Sequence, residues 1–246
     1  MKDVTIKNIN LFGTLSYYFN ANISMTNVTY SNNCFKDIEC KTIGEIIEFP
    51  GINDNISTVN ISNSTFENLN GAYGITVFNN VKYNINNITV TNCNYEYGVF
   101  LVMYETNSSV TVNNSNFKNN TAYEGTIFYI YSVRPNYDND ITINNSLFEN
   151  NYAENFGGVI YVPNELLISN DISKIEFNDC EFKNNTAKKG NISFSYSKID
   201  GPYFSNIDEL IKEGAIVTNP THIGLLPDSE KSINVLSGET LLNGIK

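Results

Sequence analysis

The residues that could do chemistry are few and widely spaced. Arg134 is the single arginine and His222 the single histidine among 246 residues. The best carboxylate pair, Asp138-Asn-Asp140, stands close to Arg134 in the run beginning Ser132-Val-Arg134-Pro-Asn. Two carboxylates at that spacing could hold a cation, but the expected role of the pair is a turn leading into Ile141-Thr-Ile143. Four cysteines show no metal-ligand spacing; Cys34 and Cys40 are near enough in sequence to bridge a loop. Aromatic residues are plentiful instead, with 16 Tyr, 15 Phe and no Trp. Tyr73, Tyr97, Tyr123 and Phe156 each stand one or two places before a Gly, and Phe128, Tyr131 and Tyr161 follow at strand positions expected to face outward. Such rings offer large contact area with a polar tip, which is the chemistry of binding rather than catalysis. The competing role for the first four is packing over a turn.

Composition narrows the classes further. A chain of this length can bury a sizeable core, and 17% charged residues is too few for an acidic disordered tail. The net charge of −11 and the lone arginine exclude a nucleic-acid partner, which needs clustered Lys and Arg. The longest apolar run, around Gly98 to Tyr104, is far short of the roughly 20 residues that span a bilayer. The start, Met1-Lys2-Asp3-Val4-Thr5, has no apolar signal region.

Asparagine makes up about a sixth of the chain and is phased. Aligned on an aromatic residue, one phrase recurs: Met25-Thr-Asn27-Val28-Thr-Tyr30, Ile61-Ser-Asn63-Ser64-Thr-Phe66, Val90-Thr-Asn92-Cys93-Asn-Tyr95, Val112-Asn-Asn114-Ser115-Asn-Phe117, Ile143-Asn-Asn145-Ser146-Leu-Phe148 and Phe177-Asn-Asp179-Cys180-Glu-Phe182. A worn copy begins at Val4-Thr-Ile6-Lys-Asn8. The interval runs from about 22 to about 36 residues, as expected where insertions fall in loops. Apolar and polar residues alternate before each Asn, the period of a half-buried strand. A second strand follows Gly74, Gly98, Gly125, Gly158 and Gly190. Because whole phrases repeat, equivalent strands are expected to stack in parallel as a solenoid.

These residues resemble the right-handed parallel β-helix of the pectate-lyase-like superfamily, over roughly residues 4 to 200. The resemblance implies an all-β solenoid of about six to seven coils; residues 1–200 are expected as the β-helix and 201–246 as a C-terminal cap and the start of a further β module or linker. It implies a buried Asn ladder at Asn27, Asn63, Asn92, Asn114, Asn145 and Asp179. The small residue after each, Val28, Ser64, Cys93, Ser115, Ser146 or Cys180, and the aromatic two places beyond are expected inside. Cys93 and Cys180 then share one angular position three coils apart, roughly 14 Å at about 4.8 Å per coil, beyond disulfide reach. An outward row Ser31, Glu67, Glu96, Lys118, Glu149 and Lys183 reads as a solvated charge ladder. Insertions at Tyr83 to Asn87, Glu105 to Ser109, Arg134 to Asp140 and Pro163 to Ser173 are expected to line one side. Ile207 to Lys212 is expected as a short helix closing the last coil.

Many enzymes of this fold cleave acidic polysaccharides, using Ca²⁺ on carboxylates with an Arg or Lys base, or paired Asp residues. Here Arg134 falls in a loop, His222 lies beyond the repeats, and −11 charges repel an acidic glycan. No catalytic residue, metal site or cofactor is expected. Sequons at Asn22, Asn27, Asn55, Asn60, Asn63, Asn87, Asn107, Asn113, Asn119, Asn144, Asn184 and Asn191 exceed chance, although the repeat phrase itself generates many. The Asn, Ile, Lys and Tyr-rich style, with phrases such as Phe182-Lys-Asn-Asn-Thr-Ala187, resembles extracellular β-helix proteins of anaerobic gut fungi, including cellulosome scaffoldins. That resemblance implies a non-catalytic module with a cohesin-like face for the dockerins of plant-cell-wall-degrading enzymes, and the chain is expected to be a piece of a longer secreted protein. A cell-surface adhesin or glycan-binding module is the first alternative, and a divergent polysaccharide lyase the second.

Overall fold

The computed structural model describes residues 1–8, 13–17, 22–32, 44–49, 56–77, 80–103, 108–131, 139–163, 173–196 and 201–218. Cys34, Cys40, Arg134, Asp138, His222 and the segment from 219 on lie outside these residues, as do the side chains of 13–17 and 44–49.

The chain is an all-β parallel β-helix. Each complete coil has four short strands, seen most plainly in Ser109–Asn113, Asn116–Lys118, Thr121–Glu124 and Phe128–Ile130. The first face stacks Ser57–Ser62, Val81–Asn86, Ser109–Asn113, Asn139–Asn144, Ser173–Asn178 and Tyr203–Phe204 in parallel register. The second stacks Thr65–Glu67, Thr89–Thr91, Asn116–Lys118, Leu147–Glu149 and Glu181–Lys183. Earlier in the chain Ile23–Ser31 runs unbroken along both. Likewise Asn70–Val77 and Asn94–Met103 span the third and fourth faces, which separate afterwards into Thr121–Glu124, Tyr152–Phe156 and Thr186–Lys189 on one side and Phe128–Ile130, Ile160–Val162, Ser193–Ser195 and Ile216–Thr218 on the other.

Two left-handed corners five residues apart, each an Asn or Asp, recur in seven successive coils among the described residues. Asp3, Asn27, Asn63, Asn87, Asn114, Asn145 and Asp179 occupy the first corner, with φ between 48 and 54°. Asn8, Asn32, Asn68, Asn92, Asn119, Asn150 and Asn184 occupy the second, with φ between 52 and 58°. Left-handed backbone penalises a Cβ, and Asn and Asp tolerate it best among non-glycine residues. Asn92 therefore belongs to the second corner, and Asn87 takes the place expected for it. The phrase that continues the repeat is Ile85-Asn-Asn87-Ile88-Thr-Val90, and successive coils are 24, 36, 24, 27, 31 and 34 residues long.

The corner asparagines form ladders, but on the outside. Asn27 donates to Asp3 at 2.8 Å, Asn87 to Asn63 at 2.7 Å and Asn68 to Asn32 at 3.1 Å, all exposed. The buried ladder is a different column, Asn120, Asn151 and Asn185, 0, 0 and 7% exposed. Asn120 Nδ2 donates to Asn151 Oδ1 at 3.0 Å and to the Val90 carbonyl at 3.0 Å. Asn151 Nδ2 donates to Asn185 Oδ1 and to the Phe117 carbonyl, both at 2.9 Å. Each Oδ1 also accepts a backbone N–H from the preceding coil. An amide has donors and acceptor for all of these at once, and a buried polar group needs them.

The shift at Asn92 moves its neighbours too. Cys93 precedes Asn120 in the buried Asn column, while Cys180 follows Ser146 at the first corner, so the two cysteines occupy different angular positions. Both are free and buried, and burial raises their thiols to about 12 and about 11. The internal aromatic column reads Tyr30, Phe66, Val90, Phe117, Phe148, Phe182, with Tyr30 on Phe66 at 5.3 Å and Phe117 on Phe148 at 5.0 Å, both pairs nearly parallel. Val90 is too small to continue the stack. Phe100 fills the gap from the opposite wall, 6.3 Å from Phe66 and 5.3 Å from Phe117. In the outer row Thr91, not Glu96, stands between Glu67 and Lys118. Residues 83 to 86 are part of a first-face strand rather than an insertion, with Tyr83 fully buried.

The helix Ile207–Lys212 forms as expected, between Tyr203–Phe204 on the first face and Ile216–Thr218 on the fourth. Leu210 is buried and Ile207 packs against the core, so the helix covers the end of the apolar interior.

Candidate binding face

The third and fourth faces meet at a glycine corner. Gly98, Gly125, Gly157 and Gly190 have φ of 44, 57, 65 and 68°. A Cβ on Gly125 would lie 2.6 Å from the Phe128 carbonyl oxygen, so the corner admits no side chain. The residues just before it are carried onto the outer surface in register: Tyr73, Tyr97, Glu124, Phe156, Lys189. Tyr123 is one place out of this row and points into solvent, 43% exposed. Beyond the corner a second column, on the side of the strands away from the core, aligns Tyr129, Tyr161 and Phe194, of which Tyr129 and Phe194 are buried and Tyr161 is half-buried.

The two columns interlock. Tyr97 stacks on Tyr73 with centroids 5.8 Å apart and meets Tyr129 edge-on at 5.0 Å. Tyr129 meets Tyr161 at 5.6 Å, and Tyr161 meets Phe156 at 5.3 Å. Tyr123 branches off Tyr97 at 6.4 Å and Tyr131 off Tyr129 at 6.4 Å. Six of the seven expected contact residues thus belong to one continuous aromatic surface. The seventh, Phe128, does not: it is fully buried among Phe100, Phe117, Phe148 and Phe177. Strand alternation is the reason. Phe128 pairs with Ile160 inside, and Tyr129 with Tyr161 outside.

Sequence reading missed Tyr129, Glu124 and Tyr152. Parity with Tyr161 was the signal available for the first; the others depend on a register that only the pairing reveals. Glu124 sits between Tyr97 and Phe156, half-buried, with the Asn155 side chain hydrogen-bonded to its carboxylate. Burial raises its pKa, and that hydrogen bond opposes the rise. Burial, then the Glu124 charge, also raises the hydroxyls of Tyr97, Tyr129 and Tyr161, the last to about 12. These phenols are neutral at physiological pH.

Beside the cluster an open groove of about 550 Å³ runs across the third face, with Tyr97, Tyr123 and Tyr152 and the polar Asn94, Glu96, Thr121 and Glu154 in its walls. Among the described residues no three His, Cys, Asp or Glu gather as a metal-holding group, and no helix is long and apolar enough to cross a membrane. No family model, curated protein or solved structure matches the chain.

Proposed function

We propose that this β-helix is a non-catalytic, extracellular or cell-surface interaction module whose aromatic face receives a protein partner. The observation that carries this reading is the continuous surface from Tyr73 through Tyr97, Tyr129 and Tyr161 to Phe156, held on rigid strands with Tyr123, Tyr131 and Tyr152 exposed around it. Tyr129 is the buried link of this series, Tyr73, Tyr97, Tyr161 and Phe156 are half-buried, and Tyr123, Tyr131 and Tyr152 are the exposed rings; touching rings that reach the surface of a strand scaffold mark a binding surface, and Tyr is a preferred anchor there. The repeat style, which resembles fungal scaffoldins, makes dockerin-bearing plant-cell-wall-degrading enzymes the first partners to try. A pull-down of purified dockerin-bearing enzymes on the immobilised module is expected to retain them. Recovery of none would end the scaffoldin reading.

A second reading, glycan binding, draws on the groove, where exposed Tyr123 and Tyr152 rings stand among amide, hydroxyl and carboxylate groups. Binding on a glycan array that is lost in Tyr123→Ala and Tyr152→Ala, with no dockerin retained, would favour it. Release of unsaturated products from pectin with Ca²⁺ would instead establish a lyase.

A further inference from the structure

We infer that Glu124 and the half-exposed rings of Tyr97 and Tyr161, with buried Tyr129 linking them beneath, form a receptor for one basic side chain, lysine or arginine, presented by the protein partner. The inference rests on the aromatic face being the partner surface and names the chemistry of its centre.

Glu124 lies in register between Tyr97 and Phe156, and the ring contacts Tyr97 to Tyr129, Tyr129 to Tyr161 and Tyr161 to Phe156 close an arc beside it. A half-buried carboxylate against rings is unfavourable without a counter-charge. Among the described residues none supplies one. Asn155 offers a neutral donor, and the ion pairs Lys118–Glu149 and Lys183–Glu181 lie on the second face. Lys189 is two coils from Glu124, with Phe156 between them in the row. Ring faces attract cations within about 6 Å, and a carboxylate beside them adds a charge-assisted hydrogen bond. Glu96 and Glu154 in the adjoining groove extend the negative field, as does the net charge of −11, so a basic partner is drawn to this face before contact.

The test is ¹⁹F NMR of the 3-fluorotyrosine-labelled protein, with resonances assigned through Tyr→Phe variants. It is titrated with millimolar Nα-acetyl-arginine amide, Nα-acetyl-lysine amide and, as neutral probes, Nα-acetyl-norleucine amide and cellobiose. The cationic probes should shift Tyr97, Tyr129 and Tyr161 saturably. Glu124→Gln, checked for retained fold by circular dichroism, should weaken that binding by about tenfold or more. No shift with either cation, equal shifts with the neutral probes, or unchanged cation binding in Glu124→Gln would each overturn the receptor. If a dockerin or cellobiose moves only Tyr123 and Tyr152 while the cations move nothing, the face binds and the receptor is wrong. If the cations bind as described and no protein partner does, the receptor stands and the scaffoldin reading fails.

Discussion

At the scale of single residues, asparagine does three separate jobs in this chain. On the corners it supplies left-handed backbone; along the outside it forms ladders; at Asn120, Asn151 and Asn185 it satisfies buried backbone. The costs of replacement should differ accordingly. Asn151→Ala leaves the Asn120 N–H without its acceptor and takes one partner each from the Phe117 carbonyl and the Asn120 side-chain amide, and should cost about 2 kcal/mol or more in denaturant unfolding. Asn145→Gly keeps the corner geometry and should cost no more than about 0.5 kcal/mol. The reverse order would contradict the assignment. The Asn-Asn pairs at 119–120, 150–151 and 184–185 were a readable clue to the buried column, yet αL tolerance and ladder formation look alike in a sequence. Glu124 makes a pH prediction. Its pKa is raised by folding, so the native state binds the extra proton, and stability relative to Glu124→Gln should increase as pH falls from neutral through the raised pKa. Partial exposure limits the gain to well under about 1 kcal/mol. Melting curves from pH 7 to about pH 4 would show it, and parallel curves for the two proteins would refute it.

At the scale of elements, the strand pattern was legible because alternation and the Gly corners follow directly from which side chains are buried. The register was less so. A unit with two similar Asn corners can be aligned on either, and Cys93-Asn-Tyr95 imitates the small residue and aromatic that follow the first corner. That ambiguity put Asn92 in the wrong column and hid Val90, the one small member of the aromatic stack. Phe100 repairs the stack from the far wall, so Phe100→Ala should open a cavity between Phe66 and Phe117 and cost about 3–5 kcal/mol. A loss under about 1 kcal/mol would mean that the gap is closed some other way. Cys93 and Cys180, buried on separate columns, should resist thiol reagents until the chain unfolds. Rapid labelling of the native protein at either would contradict their placement.

At the scale of the whole molecule, stacked coils turn local sequence into a flat, rigid surface. Corner glycines on four coils hold the backbone where aromatic residues from successive coils can touch, and extra residues beside the row, between Ala153 and Phe156 and between Tyr97 and Leu101, are taken up as local register shifts after which the strands pair again. The aromatic row was visible in the sequence. The carboxylate at its centre was not, because Tyr123 stands in for the row's third member until pairing places Glu124 there. The central claim is that this face binds the partner, and calorimetric titration of a dockerin-bearing enzyme with alanine variants tests it most directly. Tyr97→Ala and Tyr123→Ala should each weaken binding by about tenfold or more, the loss typical of an interface anchor, while Thr111→Ala, outward on the first face, should leave it unchanged. Binding that survives both tyrosine substitutions, or that falls with Thr111→Ala instead, would contradict it.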